Sequence, residues 1–137
     1  MRAIAKTYLL MHKILVVDDN IDILQIVKII LENYGFEVDA TLNGEEAFSK
    51  TDTFHPHLIL MDVFLSAGFD GREICKSLKA NPQTNSIRVI LFSAQIKLDE
   101  IFKAWGADDF IAKPFEVKEL IGKIKHQLTN FSSNLIN

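Results

Sequence analysis

Residues 13–20 read Lys-Ile-Leu-Val-Val-Asp-Asp-Asn. Four apolar residues in a row, Ile14 to Val17, stop at two adjacent carboxylates, Asp18 and Asp19. A strand with one wet face would alternate apolar and polar residues. A strand apolar at every position suits burial on both faces of a parallel sheet. The same pattern returns at Leu58–Met61, which runs into Asp62, and at Val89–Phe92, which runs into Ser93. Phe36–Ala40 and Asp109–Ala112 supply two weaker runs, the second leading into Lys113-Pro114.

Helical spacing fills the intervals. Ile21, Leu24, Val27 and Leu31 form one apolar stripe, closed by Tyr34-Gly35, because glycine accepts the left-handed turn that ends a helix. A second helix is predicted after Asn43, with Ala47 and Phe48 inward. A third spans about 71–79 before Asn81-Pro82. A fourth carries Leu98, Ile101, Phe102 and Trp105 and stops at Gly106. The last carries Val117, Leu120, Ile121 and Ile124. Strict alternation of strand and helix predicts an α/β fold, a five-stranded parallel sheet wound on both faces as (βα)5.

Composition narrows the classes of function. The 137 residues are 48% hydrophobic and 24% charged, which suits a globular core and excludes a coiled coil or a disordered chain. The net charge of −3 argues against direct nucleic-acid binding, which calls for a basic surface. Cys75 is the single cysteine, so an internal disulfide or a cysteine zinc site is excluded. No apolar run approaches the roughly 20 residues that span a bilayer. Tyr8–Met11 is shorter than the apolar core of a signal peptide, roughly 7–15 residues. The expectation is a cytoplasmic protein with no membrane contact. Its domain occupies residues 12–128, between an extension at 1–11 that adds little to the core and a polar, fraying tail at 129–137.

The candidate chemistry collects at strand ends. In an open parallel sheet, ligands bind beyond the carboxyl ends of the strands. Asp18, Asp19, Asp62, Ser93 and Lys113 all fall there. Three carboxylates at one edge repel unless a counter-charge joins them. A hard divalent cation such as Mg²⁺, with oxygen ligands, answers that need, and Lys113 adds a point charge suited to phosphate. The set suits phosphoryl transfer, in which positioning and charge neutralisation do most of the work, with Asp62 free to act as nucleophile. Taken singly, each feature has a plainer reading. An Asp-Asp pair after a strand is usually a cap and turn, and a lone Asp, Ser or Lys-Pro is a turn residue. Four such features at strand ends make coincidence the weaker account.

The chain resembles the receiver domain of response regulators, the phosphoacceptor half of two-component signalling. The matching segments are Lys-Ile-Leu-Val-Val-Asp-Asp-Asn at 13–20, Leu-Ile-Leu-Met-Asp at 58–62, Asp-Gly at 70–71, Leu-Phe-Ser-Ala at 91–94 and Gly-Ala-Asp-Asp-Phe-Ile-Ala-Lys-Pro-Phe at 106–115. The resemblance implies a flavodoxin-like strand order 2-1-3-4-5 and a cis peptide at Lys113-Pro114. It implies that Asp62 accepts a phosphoryl group from a sensor histidine kinase or phosphotransfer protein. Asp18, Asp19, Asp62 and the backbone carbonyl of Phe64 would hold Mg²⁺. Ser93 and Lys113 would contact phosphate, Phe110 is the aromatic switch and Ala94 the small residue beside it. Such a chain is not an enzyme in the ordinary sense, although it can catalyse its own phosphorylation and dephosphorylation.

Its output would be contact with a downstream protein, or a homodimer, through the face of the fourth predicted helix, fifth strand and last helix. Phe102 and Trp105 are candidate partner residues on that face. One stretch departs from the family. Ser66 stands where a proline is usual, and Ser66-Ala67-Gly68-Phe69-Asp70-Gly71 is one residue longer.

Three other classes compete. A small phosphatase or phosphotransferase of the haloacid-dehalogenase type needs Asp-x-Asp after the first strand, and this chain has Asp18-Asp19-Asn20. A flavin mononucleotide carrier needs a phosphate-binding loop there, which two carboxylates would repel. A receiver-like binding module that no longer accepts phosphate would lack part of the site. His12, His55, His57 and His126 are scattered and give no metal-ligand pattern. Cys75 reads as a small core residue, and Arg72, Lys76 and Lys79 read as one solvated face.

Overall fold

The computed structural model describes residues 12–94 and 102–136, with side chains to residue 129. Five strands alternate with helices. They are β1 (Lys13–Val17), β2 (Glu37–Thr41), β3 (Leu58–Asp62), β4 (Arg88–Ser93) and β5 (Asp109–Ala112). The helices are α1 (Ile21–Asn33), α2 (Gly44–Phe54), α3 (Gly71–Ala80) and α4 (Val117–Ile136). All strand pairs are parallel, in the order β2-β1-β3-β4-β5.

Period-two packing explains the unbroken apolar strands. Leu15, Val17, Ile59, Met61, Val89 and Leu91 point to one face, where Ala47 of α2 and Ile74, Cys75 and Leu78 of α3 cover them. Ile14, Val16, Leu58, Leu60, Ile90 and Phe92 point to the other, beneath Leu24, Val27 and Leu31 of α1 and Leu120, Ile121 and Ile124 of α4. Each central strand therefore has two dry faces, so every position is apolar. The helices begin on side-chain caps. Asn20 Oδ1 accepts from the Asp22 and Ile23 amides, Asn43 Oδ1 from Glu45 and Glu46, and Asp70 Oδ1 from Arg72. These bonds satisfy amides that have no partner within the helix.

Several expectations are corrected. Ile21 and Val117 are exposed, each being the first residue of its helix. Phe48 is exposed too, while Gly44, Ala47 and Thr51 face inward. This close contact requires small residues, since a Cβ on Gly44 would stand 2.7 Å from Phe69 Cβ. Where the fourth helix was expected, the described part is a 3₁₀ turn, Phe102–Trp105, ended by Gly106 at φ +82°. Leu98 and Ile101 lie outside the described residues, as do the side chain of Phe102 and the extension at 1–11. The last helix continues to Ile136 rather than ending near Leu128.

The three basic residues of α3 do not form one solvated face. Lys79 Nζ reaches Asp108 Oδ2 at 2.8 Å and the Ile87 carbonyl at 2.7 Å. Asp108 also pairs with Arg88 at 3.3 Å and accepts from the Val89 amide at 2.8 Å. This network ties α3, β4 and the approach to β5. Arg72 folds back on Asp70, and Lys76 remains exposed. Two of the four histidines meet at the start of the sheet, with His12 edge-on to His57 at 4.8 Å between centroids. His57 Nδ1 accepts from the Lys13 amide at 2.9 Å. Burial, then His12 and Lys13, hold the His57 pKa below its ordinary value.

The contrast within α3 gives an expected outcome. Lys79→Ala removes a donor from the Ile87 carbonyl and one of two cations from Asp108, and should cost about 1–2 kcal/mol. Lys76→Ala should stay within about 0.5 kcal/mol. Urea unfolding of both variants measures the difference.

Candidate functional site

The carboxyl ends of β1, β3, β4 and β5 bring together the residues singled out in the sequence. Asp18 follows β1 and is fully buried, Asp19 beside it is exposed, and Asp62 closes β3 at 5% exposure. Ligand atoms of these three carboxylates lie within 4.8 Å of one another. Lys113, just past β5, reaches in from the far side. Its Nζ stands 2.7 Å from Asp18 Oδ2 and 3.5 Å from Asp62 Oδ1. The same ammonium lies 4.5 Å from the centre of the Phe92 ring. The Lys113-Pro114 bond is cis, as expected.

Asn20 leaves both aspartates free of capping duty. It caps α1 with its own side chain, and its amide donates to Asp18 Oδ1 at 2.9 Å. Asp18 also donates its amide to the Thr41 carbonyl, 3.2 Å. The plain reading of Asp18-Asp19 as a helix cap therefore fails. Gly71 has a different duty. A Cβ there would collide with the Asp62 carbonyl oxygen, and the Gly71 amide donates to the Val63 carbonyl at 2.7 Å. The Asp70-Gly71 pair is thus the close approach that lets α3 start directly beside the end of β3.

Electrostatics set Asp62 apart. Its pKa is pushed up to about 6, first by burial, then by Asp18 and by a smaller contribution from Asp19, with Lys113 pulling it down. One lysine does not neutralise three carboxylates. The donor set is all oxygen, close and acidic, and it fits a hard divalent cation such as Mg²⁺. Asp62 is ionised near neutral pH and has a lone pair to offer. Cys75 has no such role, since burial pushes its thiol up to about 12.

The remaining candidates lie on β4 and β5 and in the loops next to β3, β4 and β5. Ser93 ends β4, is buried, and its carbonyl accepts from the Lys113 amide at 2.9 Å. Ala94 follows in an exposed bend. Phe64 is exposed and bridges to Asp70. Phe110 is half-buried on β5, with Lys123 Nζ 4.4 Å from its ring centre and 2.6 Å from its carbonyl oxygen. Trp105 is half-buried, with Arg72 at 5.3 Å and Lys76 at 5.8 Å from its ring centre. Arg72 also lies 5.8 Å from the Phe64 ring and forks onto Asp70, 2.7 Å from Nη2 to Oδ2. Burial raises the Asp70 pKa, but the bonds from Arg72 outweigh it and the net shift is downward.

One contact at the site escaped the sequence reading, which had noted Ser66 only for standing where a proline is usual. Ser66 Oγ donates to Asp19 Oδ2 at 3.1 Å. The two lie 47 positions apart in the chain, so no local pattern announces the contact.

Residues 14–125 match the family described as the response regulator receiver domain. The chain belongs to that family. Among curated proteins it is 35% identical over 121 residues to the phosphate regulon transcriptional regulatory protein PhoB of Rhizobium meliloti, covering 87% of this chain and 53% of that one. It is 37% identical over 114 residues to the alkaline phosphatase synthesis transcriptional regulatory protein PhoP of Bacillus subtilis, covering 82% and 47%. The receiver domain thus spans about half the length of the curated relatives it matches. A solved structure of a putative response regulator from Chloroflexus aurantiacus superposes with a TM-score of 0.82 at 32% identity, covering 87% of this chain and 98% of that one. Receiver domains take phosphoryl groups from histidine kinases, and Mg²⁺ is standard in the family. Among the described residues, no helix is long and apolar enough to cross a membrane.

The raised Asp62 carboxyl predicts a pH signature in metal-free protein. With a folded pKa above the unfolded one, ionised Asp62 opposes folding above about pH 6 and costs nothing below about pH 4. Asp62→Asn should therefore stabilise the metal-free domain at pH 7 by on the order of 1–3 kcal/mol. The gain should vanish as pH falls through 6 toward 4. Denaturant unfolding in chelator at both pH values measures it.

Proposed function

We propose that this receiver domain is a phosphoacceptor, with Asp62 taking a phosphoryl group from a phosphohistidine of a sensor histidine kinase or phosphotransfer protein. The observation that carries the reading is the meeting of Asp18, Asp19 and Asp62 within 4.8 Å, with Lys113 Nζ against two of them. An Asp62 carboxylate oxygen attacks phosphorus, the phosphorus–nitrogen bond breaks, and the donor imidazole leaves with the electron pair and takes up a proton. Asp18, Asp19, Asp62 and the Phe64 carbonyl would hold Mg²⁺, which supplies charge neutralisation on the transferring oxygens. Lys113 and Ser93 would bind the phosphoryl oxygens that the cation leaves free. The chain is thus a substrate of its kinase that contributes its own catalytic pocket, rather than an enzyme acting on another molecule.

We further propose output by protein contact through the face around Trp105, β5 and α4. A phosphoryl group on Asp62 adds charge and strong acceptors. Ser93 would turn toward it, and Phe110 would move into space left beside Ala94, shifting a population already present in the resting protein. What supports this route is the half-buried Phe110 on the edge strand, with the half-buried Trp105 in the turn that precedes that strand. A homodimer through the same face is an equal use of it. The curated relatives include proteins named as DNA-binding regulators. Freedom from nucleic-acid contact is therefore an expectation read from charge alone.

Intact mass after incubation with Mg²⁺ and acetyl phosphate tests the acceptor reading. The expected outcome is a gain of one phosphoryl group, lost with chelator and in Asp62→Asn. An unchanged mass in the wild type would point to a receiver-like binding module, and rapid turnover of acetyl phosphate to a phosphatase. Amide NMR with beryllium fluoride tests the output route. Residues 102–112 should shift more than α2 at 44–54, and shifts confined to the acidic cluster would refute it.

A further inference from the structure

The two loops that would supply the metal ligands come from different strands. Asp18 and Asp19 follow β1, and Asp62 and Phe64 belong to the end of β3 and the loop beyond it. Asp18 is fixed without help from the second loop, buried between the Asn20 amide and Lys113. Asp62 is buried and faces Lys113. Asp19 is exposed, and an exposed aspartate with water for company samples several rotamers. Ser66, two residues past Phe64, donates its hydroxyl to Asp19 Oδ2 at 3.1 Å.

The backbone places Ser66 for this contact. The loop turns through left-handed Ala67 (φ +61°) and Gly68 (φ +79°). It is closed by the Leu65 amide on the Phe69 carbonyl, 3.1 Å, and by the Phe64–Asp70 bridge. A carboxylate has two oxygens and about four lone-pair sites, so one bond from Ser66 leaves ample capacity for a cation. Partners that orient a ligand in this way raise metal affinity because the ordering is done before the ion arrives.

We propose that Ser66 is a positioning residue, a clasp whose hydroxyl joins the two ligand-bearing loops and presets Asp19 for a divalent cation. The inference rests on the acidic cluster being the Mg²⁺ site proposed above. It assigns a role to the position where this chain departs from its family's usual proline. Proline has no hydroxyl to donate, so this clasp is a property of this chain's own loop.

MgCl₂ titration of the 137-residue chain, followed by amide NMR shifts of residues 18–20 and 62–68, tests it. Ser66→Ala should weaken Mg²⁺ binding about ten-fold, toward the lower end for an orienting partner because water competes at exposed Asp19. Ser66→Thr keeps the hydroxyl, has room for a methyl at an exposed position, and should bind like the wild type. Metal-free melting temperatures of all three should agree, which separates positioning from a general structural role. Asp19→Asn serves as the control and should bind more weakly than Ser66→Ala. Wild-type affinity in Ser66→Ala with a weakened Asp19→Asn would overturn the clasp and leave the metal site standing. Equal weakening in Ser66→Thr and Ser66→Ala would also overturn it, since the hydroxyl would not be the cause. Unchanged affinity in Asp19→Asn would remove the metal site itself.

Discussion

Three carboxylates share one corner of this protein with a single lysine, and much of the surrounding architecture serves that crowding. Lys113 is held between Asp18, Asp62 and the face of Phe92. Lys113 directly follows β5, and its amide donates to the Ser93 carbonyl at the end of β4, which fixes the backbone from which it reaches the cluster. On the other side, Asn20 takes over the capping of α1 and pins Asp18 at the same time. Gly71, having no Cβ, lets the start of α3 lie close against the Asp62 carbonyl. Each local choice allows acidic groups to sit close together and partly dry, an arrangement that disfavours folding unless a cation joins them.

This frustration is spatially confined. Below the acidic corner the sheet is an ordinary two-faced core, apolar at every central position. Half-buried charges between α3 and β4 are paired, in the Asp108 network with Lys79 and Arg88. Paired charges lock elements in place, whereas the under-neutralised cluster stores a preference for a ligand. Uncompensated charge of this kind is a mark of functional sites.

A second layer links the site to the surface. Arg72 forks onto Asp70, and its guanidinium lies near both the Phe64 ring and the Trp105 ring. Phe64 follows Asp62 by two residues, and Trp105 belongs to the turn before β5. The guanidinium therefore touches both the loop that would carry the metal and the face assigned to output. On the far side of β5, Lys123 holds the Phe110 carbonyl and ring together. These contacts give the proposed switch defined starting positions.

The strand grammar was legible because burial on two faces imposes an unmistakable pattern. Ile14–Val17, Leu58–Met61 and Val89–Phe92 read as strands buried on both faces, and the Asp and Ser residues that end them, with Lys113 after the weaker fifth run, followed to one edge from strand direction. Helix existence was legible from spacing, but inward and outward residues near helix ends were not. Ile21, Phe48 and Val117 are apolar and exposed: the first and last open their helices, and Phe48 gives way to the small residues Gly44, Ala47 and Thr51 on the inward face. Lys79 and Arg72 read as solvated because their partners, Asp108 and Asp70 with its aromatic neighbours, are defined only by folding. Ser66 stood out in the sequence as a departure from the usual proline, but its bond to Asp19 was not legible, since the two lie 47 positions apart. Chain order fixes which residue types reach one edge of the sheet, because a parallel sheet points every strand the same way. Only the tertiary structure decides which side chains come within bonding distance there, because those distances depend on how loops from separate strands pack.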